Sequence, residues 1–360
     1  MAEPEVRFPR FSDAEMARRH GLVRQLMEER ALEALLVHGG SGAGAGVHWL
    51  THYPSPRPCW LILPREGAMT LFLHFFNHIP CTRAITQLGD IRCYHPSAPL
   101  AVAGALREKG LEAGRVGVVG LATTIPHAQF ERLKAELPRA HFEDVSGPFH
   151  ALRKARSEEE LAWFRESARL TDATCEALEA HIRPGLSEFD LSRIIHDAFL
   201  PEGGQLGIHF LSTTPMANPA RPVPWQYPTP RRLRAGDAVI AEITVSYWGY
   251  AAQIHRPFAV ARAPTPLYQA LFDAALECYE RVRAIAKPGT TSREIVDATA
   301  LIEERGFTVF DSLFHGEAGR NPELGTRTSA HAFEEYVLQE NEVVVVQPNP
   351  MTPDGRAGLQ

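Results

Sequence analysis

Val239–Phe258, VIAEITVSYWGYAAQIHRPF, reads as two strands joined through Trp248-Gly249-Tyr250. Glu242 on the first strand and Gln253 on the second have the spacing of a metal-binding hairpin. A divalent cation held by hard oxygen donors calls for two carboxylates there. The hairpin offers one carboxylate and one carboxamide, so its shape and its chemistry point in different directions.

On the N-terminal side of this hairpin, Ser157-Glu-Glu-Glu160 is a capping box that opens a long amphipathic helix through Trp163, Phe164, Leu170 and Ala177, stopped by Pro184-Gly185. A second helix begins near Ser187. The pattern returns on the C-terminal side: a helix from Leu267 to Ala286 stops at Pro288-Gly289, and another begins near Ser292. IRPGLSEFDLSRII is thus echoed by AKPGTTSREIVDAT. Two copies of helix, Pro-Gly and helix, each with β-hairpin sequence, predict a pseudo-twofold α+β domain whose shared sheet encloses a central site. Chance recurrence of Pro-Gly after a helix is the alternative.

Before Arg153 the texture is different. Ser12-x-x-Glu15 opens a helix to about Glu33, followed by the apolar run Ala34-Leu-Leu-Val37 and the loop GGSGAGAG. Short apolar runs at Trp60–Leu63, Met69–Leu73 and Arg115–Gly120 alternate with helical segments at Ala101–Lys109 and Ala128–Glu136, an α/β pattern. We place an α/β domain at 1–150 and the repeated α+β domain at 151–360. The glycine-rich loop lacks the Lys-Ser/Thr of a P-loop and the GxGxxG order, so it argues little for phosphate.

With 360 residues, 44% of them hydrophobic, and a net charge of −6, this is the composition of an ordinary globular chain. No Lys/Arg run or basic stripe with interleaved aromatics is present, so no nucleic-acid partner is expected. The N-terminus has no apolar segment of a leader and no window is apolar enough to span a membrane, so no membrane partner is expected either. Five cysteines without CxxC spacing argue against a disulfide framework and a zinc ribbon, and for a reducing cytoplasm.

The motifs resemble the pita-bread family of creatinase, prolidase, Xaa-Pro aminopeptidase and methionine aminopeptidase. LRKARSEEELAWFRESARLTDATCEAL is similar to the family's domain-opening helix, RRLRAGDAVIAEITVSYWGYAAQIHRPF to its central hairpin, SLFHGEAG to its histidine loop and NEVVVVQPNP to its late strand and Pro turn. The resemblance implies an α/β N-terminal domain of the creatinase type and a pita-bread C-terminal domain. In metal-dependent members two Asp, one His and two Glu hold a pair of ions that activate water. Carried over by residue, these positions fall on Glu242, Gln253, His315, Gln347 and Gln360. A carboxamide offers one neutral oxygen and an NH2 that repels a cation, so no dinuclear metal and no other cofactor is expected, with a weak single ion on Glu242 and His315 as the alternative. The family's His-Tyr-x-Pro segment corresponds to Trp225-Gln226-Tyr227-Pro228, with Gln226 at the histidine, and the second histidine after the histidine loop falls on Pro322.

Creatinase shares the fold and works without metal, which implies that lost ligands need not mean lost activity. In that resemblance His255 stands where creatinase has a glutamate. His255 and His315 are the expected base and acid, with Glu242 as orienting carboxylate. Gln253, Gln347, Gln360 and Gln226 are expected to bind a polar substrate. Arg256 and, in the N-terminal domain, Arg57 are carboxylate-anchor candidates, with Arg320 and Arg327 behind them. The resemblance also implies a homodimer in which the N-terminal domain caps the partner's site.

Three functions remain open at this point: a metal-independent hydrolase of a C–N bond in a small nitrogenous molecule, a lyase on the same fold, and an inactive binding or scaffold protein. A scaffold predicts Trp225 or Trp248 packed into the cavity.

Overall fold

The structure, a computed structural model, describes residues 8–39, 45–309, 311–316, 320–328 and 335–360. The glycine-rich loop at 40–44 and residues 317–319 of the histidine loop lie outside the described residues. The chain forms two compact units, Met1–Lys154 and Ala155–Gln360.

The first unit runs α1 (Asp13–Glu29), β1 (Ala34–Gly39), α2 (Ala45–Thr51), β2 (Cys59–Pro64), β3 (Thr70–Leu73), α3 (Ile79–Ile85) and β4 (Asp90–Cys93). It continues with α4 (Ala98–Glu108), β5 (Arg115–Val119), α5 (His127–Glu136), β6 (His141–Asp144) and α6 (Ser146–Ala151). Ser12 caps α1, its side chain accepting from Glu15 N. The six strands form one mixed sheet in the order β4-β3-β2-β1-β5-β6. β1 and β2 are buried along their whole length, which is why both read as unbroken apolar runs. Val102 and Leu106 of α4 and Leu133 of α5 pack on Leu36, Ile62 and Val118 of the sheet.

The second unit is a helix pair and a three-stranded antiparallel sheet, made twice. Its first half has α7 (Glu158–His181), α8 (Glu188–Phe199), β7 (Gln205–Pro215), β8 (Asp237–Tyr247) and β9 (Tyr250–Ala259). Its second half has α9 (Pro266–Ile285), α10 (Ser292–Thr299), α11 (Leu301–Glu304), β10 (Thr308–Val309), β11 (Phe314–Gly316), β12 (Arg320–Leu324), β13 (Val344–Val346) and β14 (Pro350–Met351).

The Pro-Gly echo is a structural repeat. Gly185 and Gly289 both take a left-handed turn, φ 95° and 94°, and each N–H reaches across 2.9 Å, to Leu233 O and Leu338 O respectively. The residue that caps the next helix, Ser187 or Thr291, closes a complete capping box with Asp190 or Glu294 and forms a β-bridge to Arg232 or Val337.

One expectation is corrected. Among the described residues the halves do not share a sheet: β7-β8-β9 and β12-β11-β13 are separate, with β9 and β13 as edge strands. Side chains, Gln253 from β9 and Gln347 just past β13, bridge between them instead of backbone bonds.

Local chemistry positions the hairpin. Tyr247 pairs with Tyr250 around a two-residue turn in which Trp248 and Gly249 have φ of 48° and 81°, the positive values a tight right-twisted hairpin requires. Along β8, Val239, Ala241, Ile243 and Val245 share one core with Leu170 of α7 and Phe199 of α8. The strand's period of two then sends Glu242 and Thr244 to the opposite face.

Candidate functional site

Register builds the site from that face. Glu242 is opposite His255 and Thr244 is opposite Gln253, so Gln253 is the diagonal neighbour of Glu242. Gln253 Nε2 lies 3.0 Å from Glu242 Oε1, 2.7 Å from His255 Nε2 and 3.2 Å from Gln347 Oε1. Gln347 is oriented by its own amide, which donates to Ser312 O at 2.9 Å. That turns its Oε1 towards His315 Nε2, 3.1 Å away, while His315 Nδ1 donates to Gly316 O at 2.7 Å. The two halves of the repeat thus meet in one chain of hydrogen bonds from Glu242 through Gln253 and Gln347 to His315.

Gln253, His255, Gln347 and Gln360 line a cavity of about 430 Å³, with Phe272, Leu276 and Tyr279 of α9 on its apolar side. That size suits a small molecule. Glu242 and His315 stand one hydrogen bond behind its wall, and Glu242 keeps 15% of its side chain exposed. A second cavity of about 410 Å³ lies in the first unit beside Phe130, Lys134, Leu137, His141 and Phe142.

Burial moves the proton affinities of two of the expected residues in opposite directions. Burial, helped by repulsion from Asp311, pushes the Glu242 carboxyl up to about 7. Burial, helped by His315, pushes His255 down to about 3. A ring so weakly basic is a poor proton acceptor at neutral pH, so His255 does not suit the part of general base that its residue type suggested. Glu242, expected only to orient, has the proton affinity suited to acid–base exchange. His315 meets an oxygen at each ring nitrogen, Gly316 O at Nδ1 and Gln347 Oε1 at Nε2.

The donor set does not fit a dinuclear metal centre. It is the amide nitrogen of Gln253, not its oxygen, that faces Glu242 and Gln347, so hydrogens point where a cation's positive charge would have to sit. Among the described residues no group of three or more His, Cys, Asp or Glu has the placement to hold a metal ion.

The remaining candidates are scattered. Gln360 lines the cavity but makes no hydrogen bond to the Gln253 cluster among the described residues, and its Oε1 is buried without a partner. Arg256, one residue beyond His255, also lines the cavity and leans on Cys175 of α7. Gln226 is exposed on the loop between β7 and β8 and is not part of the cavity lining, because that loop turns outward around Trp225 and Tyr227. Arg57 is an exposed residue of the first unit, 5.4 Å from the Phe75 ring. Arg327 forms an exposed ion pair with Asp297.

Neither tryptophan fills the cavity. Trp225 is 42% exposed beneath Arg221, whose guanidinium sits 3.8 Å from its ring, and Trp248 occupies the hairpin turn. Residue-by-residue reading missed Asp311, which repels Glu242, and Ser312, whose carbonyl orients Gln347. Their signal was only adjacency to the Phe314-His315-Gly316 strand.

Comparison with known proteins agrees with this architecture. The sequence model of metallopeptidase family M24 matches residues 162–360, and that of the creatinase/prolidase N-terminal domain matches residues 19–155. The chain is 23% identical to a Xaa-Pro dipeptidase of Pyrococcus horikoshii over 65% of this chain and 66% of that one. It is 21% identical to creatinase from a Bacillus species over 97% and 87%. The solved X-Pro aminopeptidase of Thermotoga maritima superimposes with a TM-score of 0.81 at 17% identity, covering 94% of this chain and 92% of that one, which shows a shared pita-bread fold. Among the described residues no helix is long and apolar enough to cross a membrane.

Proposed function

The chain belongs to metallopeptidase family M24, and from that premise we propose that it is a metal-independent hydrolase acting on a C–N bond of a small nitrogenous substrate. The observation that carries this reading is the hydrogen bond from Gln253 to Glu242. An amide there disfavours a bridging ion and leaves a carboxyl, pushed up to about 7, free to exchange protons.

In the proposed reaction, ionised Glu242 takes a proton from water as the water oxygen bonds to the substrate carbon. The C–N bond then breaks as Glu242 returns that proton to the departing nitrogen, with His315 held behind the wall by Gln347. Gln253 and Gln347 hold both groups in position throughout. An open cavity with neither Trp225 nor Trp248 in its lining supports an active protein over a scaffold.

We also infer a homodimer, in keeping with the family resemblance, and a cytoplasmic location. The five cysteines, all free thiols, support a reducing compartment. Light scattering on the purified protein tests the dimer.

The test of function is elemental mass spectrometry after dialysis against Mn, Co and Zn in turn, paired with hydrolysis of an amide, urea and amidine panel in chelator. Near-zero metal with chelator-resistant hydrolysis is expected. Two ions per chain, with activity lost to chelator, overturn the metal-independent reading.

A further inference from the structure

The cavity of about 430 Å³ is lined by six successive residues of β9, 252–257, and by four successive residues at β13, 345–348. A cavity lying on the face of a sheet touches every second residue, since neighbours point to opposite faces. Unbroken runs mean that this one lies against the edges of the strands. β9 and β13 are edge strands of their two sheets, and among the described residues no strand lies between them.

The pairing fixes what those edges present. In an antiparallel pair, successive residues turn their N–H and C=O groups alternately towards the partner and away from it. Val260 N–H donates to Asp237 O on the β8 side, so by the same register Ile254 and Arg256 face β8, while Gln253, His255 and Pro257 face away. Gln347 N–H donates to Leu313 O on the β11 side, so Val346 and Pro348 face away. Proline has no N–H to give, and one stands at an outward position on each edge, as this alternation requires. The outward N–H groups of Gln253, His255 and Val346 have no backbone partner among the described residues. One absent strand opens a gap of about 9.6 Å between its neighbours. Here the gap is crossed by two side chains, Gln253 and Gln347, which meet at 3.2 Å.

We propose that this slot receives an extended segment of another polypeptide, which bonds through its backbone to β9 on one side and β13 on the other and joins the two three-stranded sheets into one. N–H and C=O dipoles alternate along both walls, and a polypeptide backbone offers the reciprocal alternation along both of its own edges. Its side chains have matching surroundings. Phe272, Leu276 and Tyr279 lie on one face of α9, line the slot and are 37%, 48% and 39% exposed, an apolar wall for every second residue of the segment to cover. The inference goes beyond the hydrolase reading: a bound segment fills the cavity and excludes a small substrate while it stays.

The experiment is calorimetric titration of the full chain with the synthetic peptide acetyl-Lys-Thr-Val-Thr-Val-Thr-Val-amide and with two versions methylated on one backbone nitrogen, at the central Thr or at the Val after it. Consecutive N–H groups of an inserted strand point to opposite walls, so we expect saturable binding that either methyl weakens at least tenfold. Val346→Pro, which removes an outward N–H from the β13 wall, should weaken the parent peptide similarly. The methylated peptides test the proposal on the unaltered protein, whether or not that variant folds. Absence of saturable binding overturns the proposal, and so does a loss confined to one of the two methylated peptides, which means contact with a single edge. Dissociation of the protein's own oligomer as peptide is added, read by light scattering, would assign the slot to a strand of a second copy and overturn supply by another polypeptide. Because the readout is binding, a failure to hydrolyse amides counts against the proposed function alone.

Discussion

Gln253 donates from Nε2 to Glu242 Oε1 across 3.0 Å, so the single carboxylate of the cluster is met by an amide where the family pattern would set a second acid. Gln253→Glu should place like charges in that contact. We expect the variant to lose about 1–3 kcal/mol of stability at pH 8 and to regain most of it near pH 5, where the pair shares a proton. Urea denaturation at the two pH values checks this, and equal loss at both would refute the electrostatic reading.

Glu242 itself should tilt the pH–stability curve. Its folded value of about 7 lies above the ordinary 4.5, so between these the folded state holds a proton that the unfolded chain has released. Stability from this group is full below about pH 4.5 and is lost as pH rises through 7, by a few kcal/mol at most. Glu242→Gln should flatten that limb and abolish turnover. A parent-like slope in the variant would rule out Glu242 as its source.

The acid limb has the opposite sign. His209, which takes a hydrogen bond with Ser192, and His38 are both pushed down to about 4 by burial. As pH falls from about 6.5 the unfolded chain binds protons that the folded rings refuse, so stability present above 6.5 is lost towards pH 4. His209→Gln should shallow this limb in chemical denaturation while leaving stability at pH 7 within about 1 kcal/mol of the parent.

Gly358 ties the segment bearing Gln360 to the loop after β7. A Cβ there would stand 2.4 Å from Pro222 O, a backbone atom with little freedom to yield. Gly358→Ala should cost about 1–3 kcal/mol and reduce activity through displaced Gln360. Gly147→Ala, where nothing lies within 4 Å, is the control and should do neither. Thermal melts with parallel turnover assays separate the outcomes.

The repeat makes a paired prediction. Ser187→Ala and Thr291→Ala each remove the cap of an equivalent helix, at about 1 kcal/mol apiece. The caps belong to separate halves, so the double variant should lose the sum. A marked excess in the double variant would mean that the two turns are coupled.

Much of the architecture was legible before any coordinate. Ser12 and Ser157 announce helix starts because a hydroxyl three residues before an acid can satisfy free backbone N–H groups locally. Pro-Gly at 184–185 and 288–289 announces the turns because glycine tolerates positive φ. The apolar runs at β1 and β2 needed no partner to be recognised as buried strands. The separation of the two sheets was not legible, since which strand edges pair depends on segments far apart in sequence.

The sequence by itself determined the repeat, the hairpin and the amides at 253, 347 and 360, because each depends on residue type and near neighbours. Tertiary structure alone decided how those groups behave. Glu242 is raised by burial and by Asp311, which reaches it from the other half of the repeat. Gln253 is turned nitrogen-first because Gln347, itself held by Ser312, faces it with an oxygen. Proton affinity and amide orientation are set by whatever packs within a few ångströms, and here the deciding neighbours come from the distant half of the chain.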